Sequence, residues 1–269
     1  MVTRAGAVWR AGSVPVWGGH LAYHRTGGDG PTLVLSHGLT DSGLCWTRLA
    51  RALEAEFDVV MLDARGHGDS ARLNEGAPHD PARDLGEAIE ALGLPSPIVM
   101  GHSVGARATA AYANTHPGRV AKVILEDPPF LPLADAAATA ARSRKFRDQV
   151  ERFQAMTEAE IMSMGRTASP GWHDGDLPAW AAAKRQVDPG AFPAYVAPWQ
   201  AQIDRIDVPT LLIGADPELG SLVTPAVAAE ATGLNANIRT VRIGGAGHNV
   251  RRENFPDYLA AVLQFLHGA

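Results

Sequence analysis

The stretch Ile98–Ala106 constrains the fold of this chain more than any other. It reads Ile-Val-Met-Gly-His-Ser-Val-Gly-Ala, and alanine-rich sequence follows from Arg107. Apolar residues before a G-x-S-x-G sequence and helical sequence after it predict a strand, a sharp turn and a helix, with Ser103 at the tip of the turn. Gly101 and Gly105 lack the Cβ atoms that would collide in so tight a turn. We therefore expect Ser103 to be a nucleophile rather than a simple helix N-cap.

Composition excludes several classes of protein. The 269 residues suit one large α/β domain, and a net charge of -5 argues against a nucleic-acid or anionic-membrane partner. The single cysteine, Cys45, excludes an internal disulfide. No apolar run is long enough for a membrane span, and the N-terminus lacks the apolar core of a signal peptide. We expect a soluble cytoplasmic protein with no membrane partner.

Apolar strand-like runs alternate with helical sequence along most of the chain. A hairpin over residues 13–25 precedes them and predicts an antiparallel edge. The runs are Thr32–Ser36, Phe57–Leu62, Ile98–Met100, Val120–Leu125, Pro209–Gly214 and Ile238–Ile243. Such alternation predicts an α/β fold with a mostly parallel sheet and helices on both of its faces.

The alternation stops near residue 130. Residues 134–203 contain no convincing strand, and five prolines break them into short helical segments. We expect helices inserted into the sheet domain. The predicted division is a core of residues 1–129 and 206–269, with a helical insertion over residues 130–205.

Four motifs lie at the ends of these strands and in the last loop. They are His37-Gly38, Asp63–Ser70, Gly101–Gly105 and Gly247–Asn249. In this order they resemble the α/β-hydrolase superfamily over essentially the whole chain. The resemblance implies an eight-stranded sheet, a cap over the active site at residues 130–205, and a catalytic order of serine, acid and histidine. It does not fix a substrate.

A serine hydroxyl needs a base within hydrogen-bond reach to become a good nucleophile. Among ten histidines, His248 is the best candidate, because it lies in a glycine-rich loop between the last strand and the last helix. His102 adjoins the serine, but we interpret it as a packed neighbour whose side chain diverges. No histidine pair has zinc-site spacing beside a third ligand, so we expect no metal, and the chemistry requires no cofactor.

Two aspartates are candidates for the acid that orients the base. Asp216 lies after a strand, close to where the superfamily usually has its acid, although the spacing from Gly214 is one residue short. Asp127 ends the strand before the insertion, where some lactone-cleaving hydrolases that this segment resembles have theirs. We favour Asp216 and keep Asp127 as the alternative.

The remaining site residues follow from the same resemblance. Backbone N–H groups of Leu39 and Val104 are expected to form the oxyanion hole. Aromatic side chains near the insertion favour an apolar pocket. Those predicted to bind substrate are Trp46, Phe130, Trp172 and Trp199.

Together these features predict a serine hydrolase that cleaves a carboxylic ester or lactone of an apolar small molecule. The alternatives are a cofactor-free haloperoxidase or a hydrolase of carbon–carbon bonds, which reuse such triads. A non-catalytic ligand receptor of the same fold also stays open, because such receptors can retain the triad.

Overall fold

The structure is a computed structural model that describes residues 9–73, 79–192, 195 and 197–268. Residues 1–8, on which the expectation of no signal peptide depends, lie outside the described residues. So do positions 193, 194 and 196 of the predicted insertion.

The described residues form one sheet of eight strands in the order β1-β2-β4-β3-β5-β6-β7-β8. The first two strands form an antiparallel hairpin at the edge, β2 pairs antiparallel with β4, and every later pairing is parallel. The strands are β1 (Arg10–Val16), β2 (Gly19–Arg25), β3 (Thr32–Ser36), β4 (Asp58–Leu62), β5 (Ile98–His102), β6 (Lys122–Glu126), β7 (Thr210–Gly214) and β8 (Ile238–Arg242). The predicted mostly parallel sheet with an antiparallel edge is confirmed.

Helices cover both faces of the sheet. They are α1 (Thr47–Leu53), α2 (Pro81–Ala91), α3 (Val104–Thr115), α4 (Ala136–Gln154), α5 (Glu158–Ala168), α6 (Leu177–Arg185), α7 (Pro225–Leu234), α8 (Val250–Glu253) and α9 (Phe255–His267). None of the helices in the described part of the chain is long and apolar enough to cross a membrane.

Two apolar cores result from the two-residue period of the strands. Val34 of β3 packs with α2 and α3 on one face, whereas Leu33 and Leu35 pack with α1 and α9 on the other. Side chains alternate across a strand, so a run that is apolar at every position is buried on both faces. This arrangement brings the carboxyl ends of β3, β5 and β6 together at one edge.

The expected insertion contributes α4, α5 and α6 between β6 and β7. These helices pack around two small apolar clusters, one near Phe146 and one near Phe153. The absence of a strand from the described part of this segment agrees with its sequence. The assignment of residues 130–205 as a separate cap domain stays a prediction.

Candidate active site

Ser103 lies in the sharp turn between β5 and α3. Its backbone has φ 52° and ψ -122°, a conformation that an L-residue adopts only under strain. A Cβ atom on Gly101 would lie 2.4 Å from the Gly105 carbonyl oxygen. One on Gly105 would lie 2.4 Å from the carbonyl oxygens of Ser36 and His37. The glycines are therefore required by sterics, and the turn holds Ser103 at the edge where β3, β5 and β6 end.

A continuous hydrogen-bond chain runs from Ser103 through His248 to Asp127. His248 Nε2 lies 3.0 Å from the Ser103 Oγ, and Nδ1 lies 2.7 Å from the Asp127 Oδ2. A carboxylate can only accept, so the His248 Nδ1–H group donates a hydrogen bond to Asp127. Nε2 of the neutral ring is then free to accept the proton of the serine hydroxyl. This is the arrangement that general-base activation of a serine requires.

Asp127 is fully buried, and its position is fixed by several donors. Its carboxylate accepts hydrogen bonds from the Ser221 hydroxyl at 2.7 Å and from the backbone N–H groups of Leu222 and Val223 at 2.9 Å. The backbone at Asp127 has φ 41°, a left-handed conformation that aspartate tolerates better than most residues. These bonds orient Oδ2 toward the His248 ring.

The structure differs from the preferred expectation for the acid, Asp216. That carboxylate instead accepts from the Arg242 guanidinium at 2.7 Å and from the Gly245 N–H at 2.8 Å. These two contacts, the Gly245 bond first, lower the pKa of Asp216. β6 lies next to β5 in the sheet, and β7 is one strand further from Ser103. The alternative, Asp127, is therefore the carboxylate that contacts His248.

The two backbone donors expected at the oxyanion hole border the same turn. Within the described residues, neither the Leu39 N–H nor the Val104 N–H has a hydrogen-bond partner. Val104 is the first residue of α3, whose dipole adds positive potential there. Both groups are free to bind a developing negative charge.

Two histidines fix the loop that carries Leu39. His37 Nδ1–H donates to the Gly38 carbonyl at 2.8 Å, and its Nε2 accepts from the Ala64 N–H at 2.9 Å. The His67 ring bonds the Leu39 carbonyl. Burial lowers the pKa of both rings, that of His67 to about 3, so both are neutral at pH 7. The sequence analysis did not single out His67 for this contact.

A buried ionic cluster supports the same loop from the insertion side. Lys184 of α6 donates to the Thr40 carbonyl at 2.9 Å and lies 3.7 Å from the Asp41 carboxylate. Burial favours a neutral Asp41, but Arg252, Lys184 and Arg251 outweigh it and hold the pKa of Asp41 well below its usual range. Burial lowers the pKa of Lys184 to about 8. The sequence offered no signal for this cluster, because its members come from three separate segments, and Lys184 lies 144 residues from Thr40.

His102 is a packed neighbour, as expected. Its Nε2 bonds the backbone carbonyl of His248 at 3.0 Å, and the two ring centroids lie 4.9 Å apart. Burial, followed by the charge of Arg251, holds the pKa of His102 well below its usual value. A neutral ring in this position supports the loop that carries His248.

A cavity of about 480 Å³ extends from Leu39 and Val104 along α3. Leu39 and Val104 line it, whereas Ser103 and His248 do not. The four predicted substrate-binding residues, Trp46, Phe130, Trp172 and Trp199, are absent from its described lining. Trp46 is buried beneath Arg251, Phe130 and Trp199 stack in the core, and Trp172 packs edge-on against Trp180. They pack within the fold because large aromatic side chains bury the most apolar area.

The chain is similar in sequence and in fold to known hydrolases. Residues 31–254 match the family model described as the alpha/beta hydrolase fold. The chain is 26% identical to 2-(acetamidomethylene)succinate hydrolase of Mesorhizobium japonicum, over 90% of each protein. It is 29% identical to N-formylmaleamate deformylase of Pseudomonas putida, over 95% of this chain and 96% of the relative. The crystal structure of E-2-(acetamidomethylene)succinate hydrolase superposes with a TM-score of 0.77 at 22% identity, covering 96% of this chain and 99% of that one. The matched region includes Ser103, Asp127 and His248.

Proposed function

The chain belongs to the α/β-hydrolase family, and from that premise we propose that it is a serine hydrolase that cleaves a carboxylic ester or lactone. The observation that carries the proposal is the hydrogen-bond chain from the Ser103 Oγ through His248 to the buried Asp127. The N–H groups of Leu39 and Val104, which have no hydrogen-bond partner in the described part of the chain, supply the complementary oxyanion site.

In the proposed mechanism His248 Nε2 takes the proton of the Ser103 hydroxyl while Oγ bonds to the substrate carbonyl carbon. The Leu39 and Val104 N–H groups hold the resulting oxyanion, and Asp127 stabilises the imidazolium. Collapse of the tetrahedral intermediate breaks the bond to the leaving oxygen, which takes the proton from His248. Water then attacks the acyl-enzyme by the same sequence and releases the acid, with no cofactor.

A second candidate is cleavage of an amide bond by the same residues. The two relatives that match this chain nearly end to end are named for an acetamido compound and an N-formyl compound. Amide cleavage requires His248 to act as an acid, because an amine leaves only after the imidazolium protonates it. The 2.7 Å contact between the His248 Nδ1 and the Asp127 carboxylate stabilises that imidazolium.

The test is turnover of three defined substrates by wild type, Ser103→Ala and His248→Ala: 4-nitrophenyl butyrate, δ-valerolactone and N-formylglycine. Turnover of the ester or lactone by wild type, with loss in both variants, supports the first candidate. Turnover of the formamide alone favours the second. Wild-type activity that survives in Ser103→Ala would overturn both.

A further inference from the structure

Arg107 is a buried cation that has no anionic partner. It is 2% exposed, and within the described residues no carboxylate lies within ion-pair distance of it. Its three hydrogen bonds go to neutral acceptors: the Gln202 side chain at 2.7 Å and the carbonyls of Pro129 at 3.1 Å and Ala197 at 2.8 Å. A guanidinium has five N–H groups, so two are left over. Buried charges are normally paired, which makes this arginine unusual.

A second unpartnered group lies against the same guanidinium. The Tyr195 ring stacks on Arg107 with its centroid 3.6 Å from Cζ. The Tyr195 hydroxyl is buried and has no hydrogen-bond partner among the residues that the structure describes, and burial raises its pKa to about 12. Both side chains line the 480 Å³ cavity. Unused donors on two neighbouring side chains suit an acceptor-only ligand such as a carboxylate.

The other charged groups that line the cavity do not neutralise Arg107. Arg65 and Asp84 form a bidentate pair with contacts of 3.0 and 2.7 Å. Asp80 caps the N-terminus of α2 through the Ala82 and Arg83 N–H groups, at the exposed rim. Three histidines also line the cavity, His37, His67 and His79, and burial lowers the pKa of each.

We propose that Arg107, with Tyr195, binds a carboxylate carried by the acyl part of the substrate. This inference rests on the proposed function and narrows it to acyl groups that end in an anion. Leu21, Leu85 and Ala108 give the lining an apolar stretch that suits the carbon chain between the two ends.

The acyl part, rather than the leaving group, enters this cavity. His248 must face the leaving group to protonate it, and His248 does not line the cavity, whereas both oxyanion donors do. Val104 and Arg107 are three residues apart on one face of α3, a rise of about 4.5 Å along the axis. Both residues therefore border the cavity from the same helix face, and a short dicarboxylic acyl group such as glutaryl is the first to test.

The experiment compares mono-4-nitrophenyl glutarate with methyl 4-nitrophenyl glutarate, which differ only in the terminal charge. We expect wild type to favour the anionic ester in kcat/KM, and Arg107→Met to lower that preference about 10- to 100-fold. Tyr195→Phe, which removes a hydroxyl with no partner in the fold, should lower it less, and Arg107→Lys should retain part of it. Arg83→Met is the matched control, because it removes an exposed arginine charge on α2 and should leave the ratio unchanged.

The ratio within each variant cancels losses from misfolding, so a purely structural role of Arg107 would lower both esters alike and overturn the proposal. A wild-type preference for the methyl ester would also overturn it. Calorimetric binding of glutarate to Ser103→Ala, alone and with Arg107→Met, separates the two proposals. Binding that depends on Arg107 without any wild-type turnover would leave the anion site standing and refute the serine hydrolase. Turnover with a ratio insensitive to Arg107 would do the reverse.

Discussion

Asp127→Asn should reduce kcat on a turned-over ester by about 10⁴, or about 5 kcal/mol of activation free energy. The Asp127 Oδ1 accepts from Ser221, Leu222 and Val223, and Oδ2 accepts from Leu222 and His248. An asparagine has a single acceptor oxygen, which we expect at the Oδ1 position where three donors converge. Its NH₂ group then faces the His248 Nδ1 and forces that nitrogen to accept. The ring proton moves to Nε2, which can no longer take the proton of the serine hydroxyl.

The assay is steady-state hydrolysis of a 4-nitrophenyl ester by wild type, Asp127→Asn and Asp216→Asn. Asp216→Asn is the matched control, because it makes the same chemical change at a carboxylate bound to Arg242 and Gly245. It should keep kcat within a few-fold of wild type. The reasoning is refuted if Asp127→Asn retains more than a tenth of wild-type kcat while its circular dichroism spectrum is native, or if Asp216→Asn alone loses activity.

Three further substitutions test the packing around the site. Gly105→Ala puts a Cβ 2.4 Å from two backbone oxygens, so it should destabilise the fold by about 1–3 kcal/mol and lower kcat; urea unfolding and ester turnover measure both, and an unchanged midpoint would contradict the steric account. Phe130→Ala empties a site that is 1% exposed and stacked 4.7 Å from Trp199, at a cost of about 3–5 kcal/mol in the unfolding free energy; a loss below 1 kcal/mol would mean that the stack is loosely packed. The pKa of Lys184 is about 8 when folded against 10.5 unfolded, so the unfolded chain binds more protons between these pH values and stability rises with pH through this window. The unfolding free energy of wild type relative to Lys184→Met should therefore increase by up to about 3 kcal/mol from pH 8 to 10.5, and a flat or falling difference would contradict the burial of a charged lysine.

The sheet and the sharp turn at Ser103 could be predicted because their sequence signals are local. The apolar run before Ser103, the glycines two residues away on each side, and the helical sequence after it all lie within one short stretch. Local sterics alone therefore decide the conformation of this turn. Among the described residues, the N–H groups of Leu39 and Val104 have no hydrogen-bond partner, and the oxyanion role that the family resemblance implies for them stays a prediction. His248 could be predicted for a similar reason, because it lies in a glycine-rich loop between the last strand and the last helix.

Which aspartate contacts His248 depends on long-range contacts, and the local spacing favoured Asp216 over Asp127. The spacing Gly214-Ala-Asp216 is one residue short, and it leaves Asp216 turned toward Arg242. The loop after β7 instead provides Ser221, whose hydroxyl donates to Asp127 and accepts from the Ala215 N–H. That pairing joins residues 94 apart, so no window along the chain could show it.

The aromatic residues predicted to bind substrate lie outside the lining of the cavity along α3, and their role in binding stays a prediction. Phe130 and Trp199 stack on each other and pack into the apolar core on one face of the sheet, together with residues such as Val34 and Leu85. The buried ionic cluster next to the loop that carries Leu39 could not be predicted from sequence either, because Lys184 and Thr40 lie 144 residues apart. Contacts of this range depend on how the insertion docks on the sheet.

The most direct test of the account is covalent labelling of Ser103 with a fluorophosphonate, read by intact-protein and peptide mass spectrometry. We expect one adduct, located on Ser103 and absent from Ser103→Ala. Its rate of formation should fall at least about 100-fold in His248→Ala. No adduct on folded wild type, or an adduct that persists in Ser103→Ala, would contradict the claim that His248 activates Ser103 as a nucleophile.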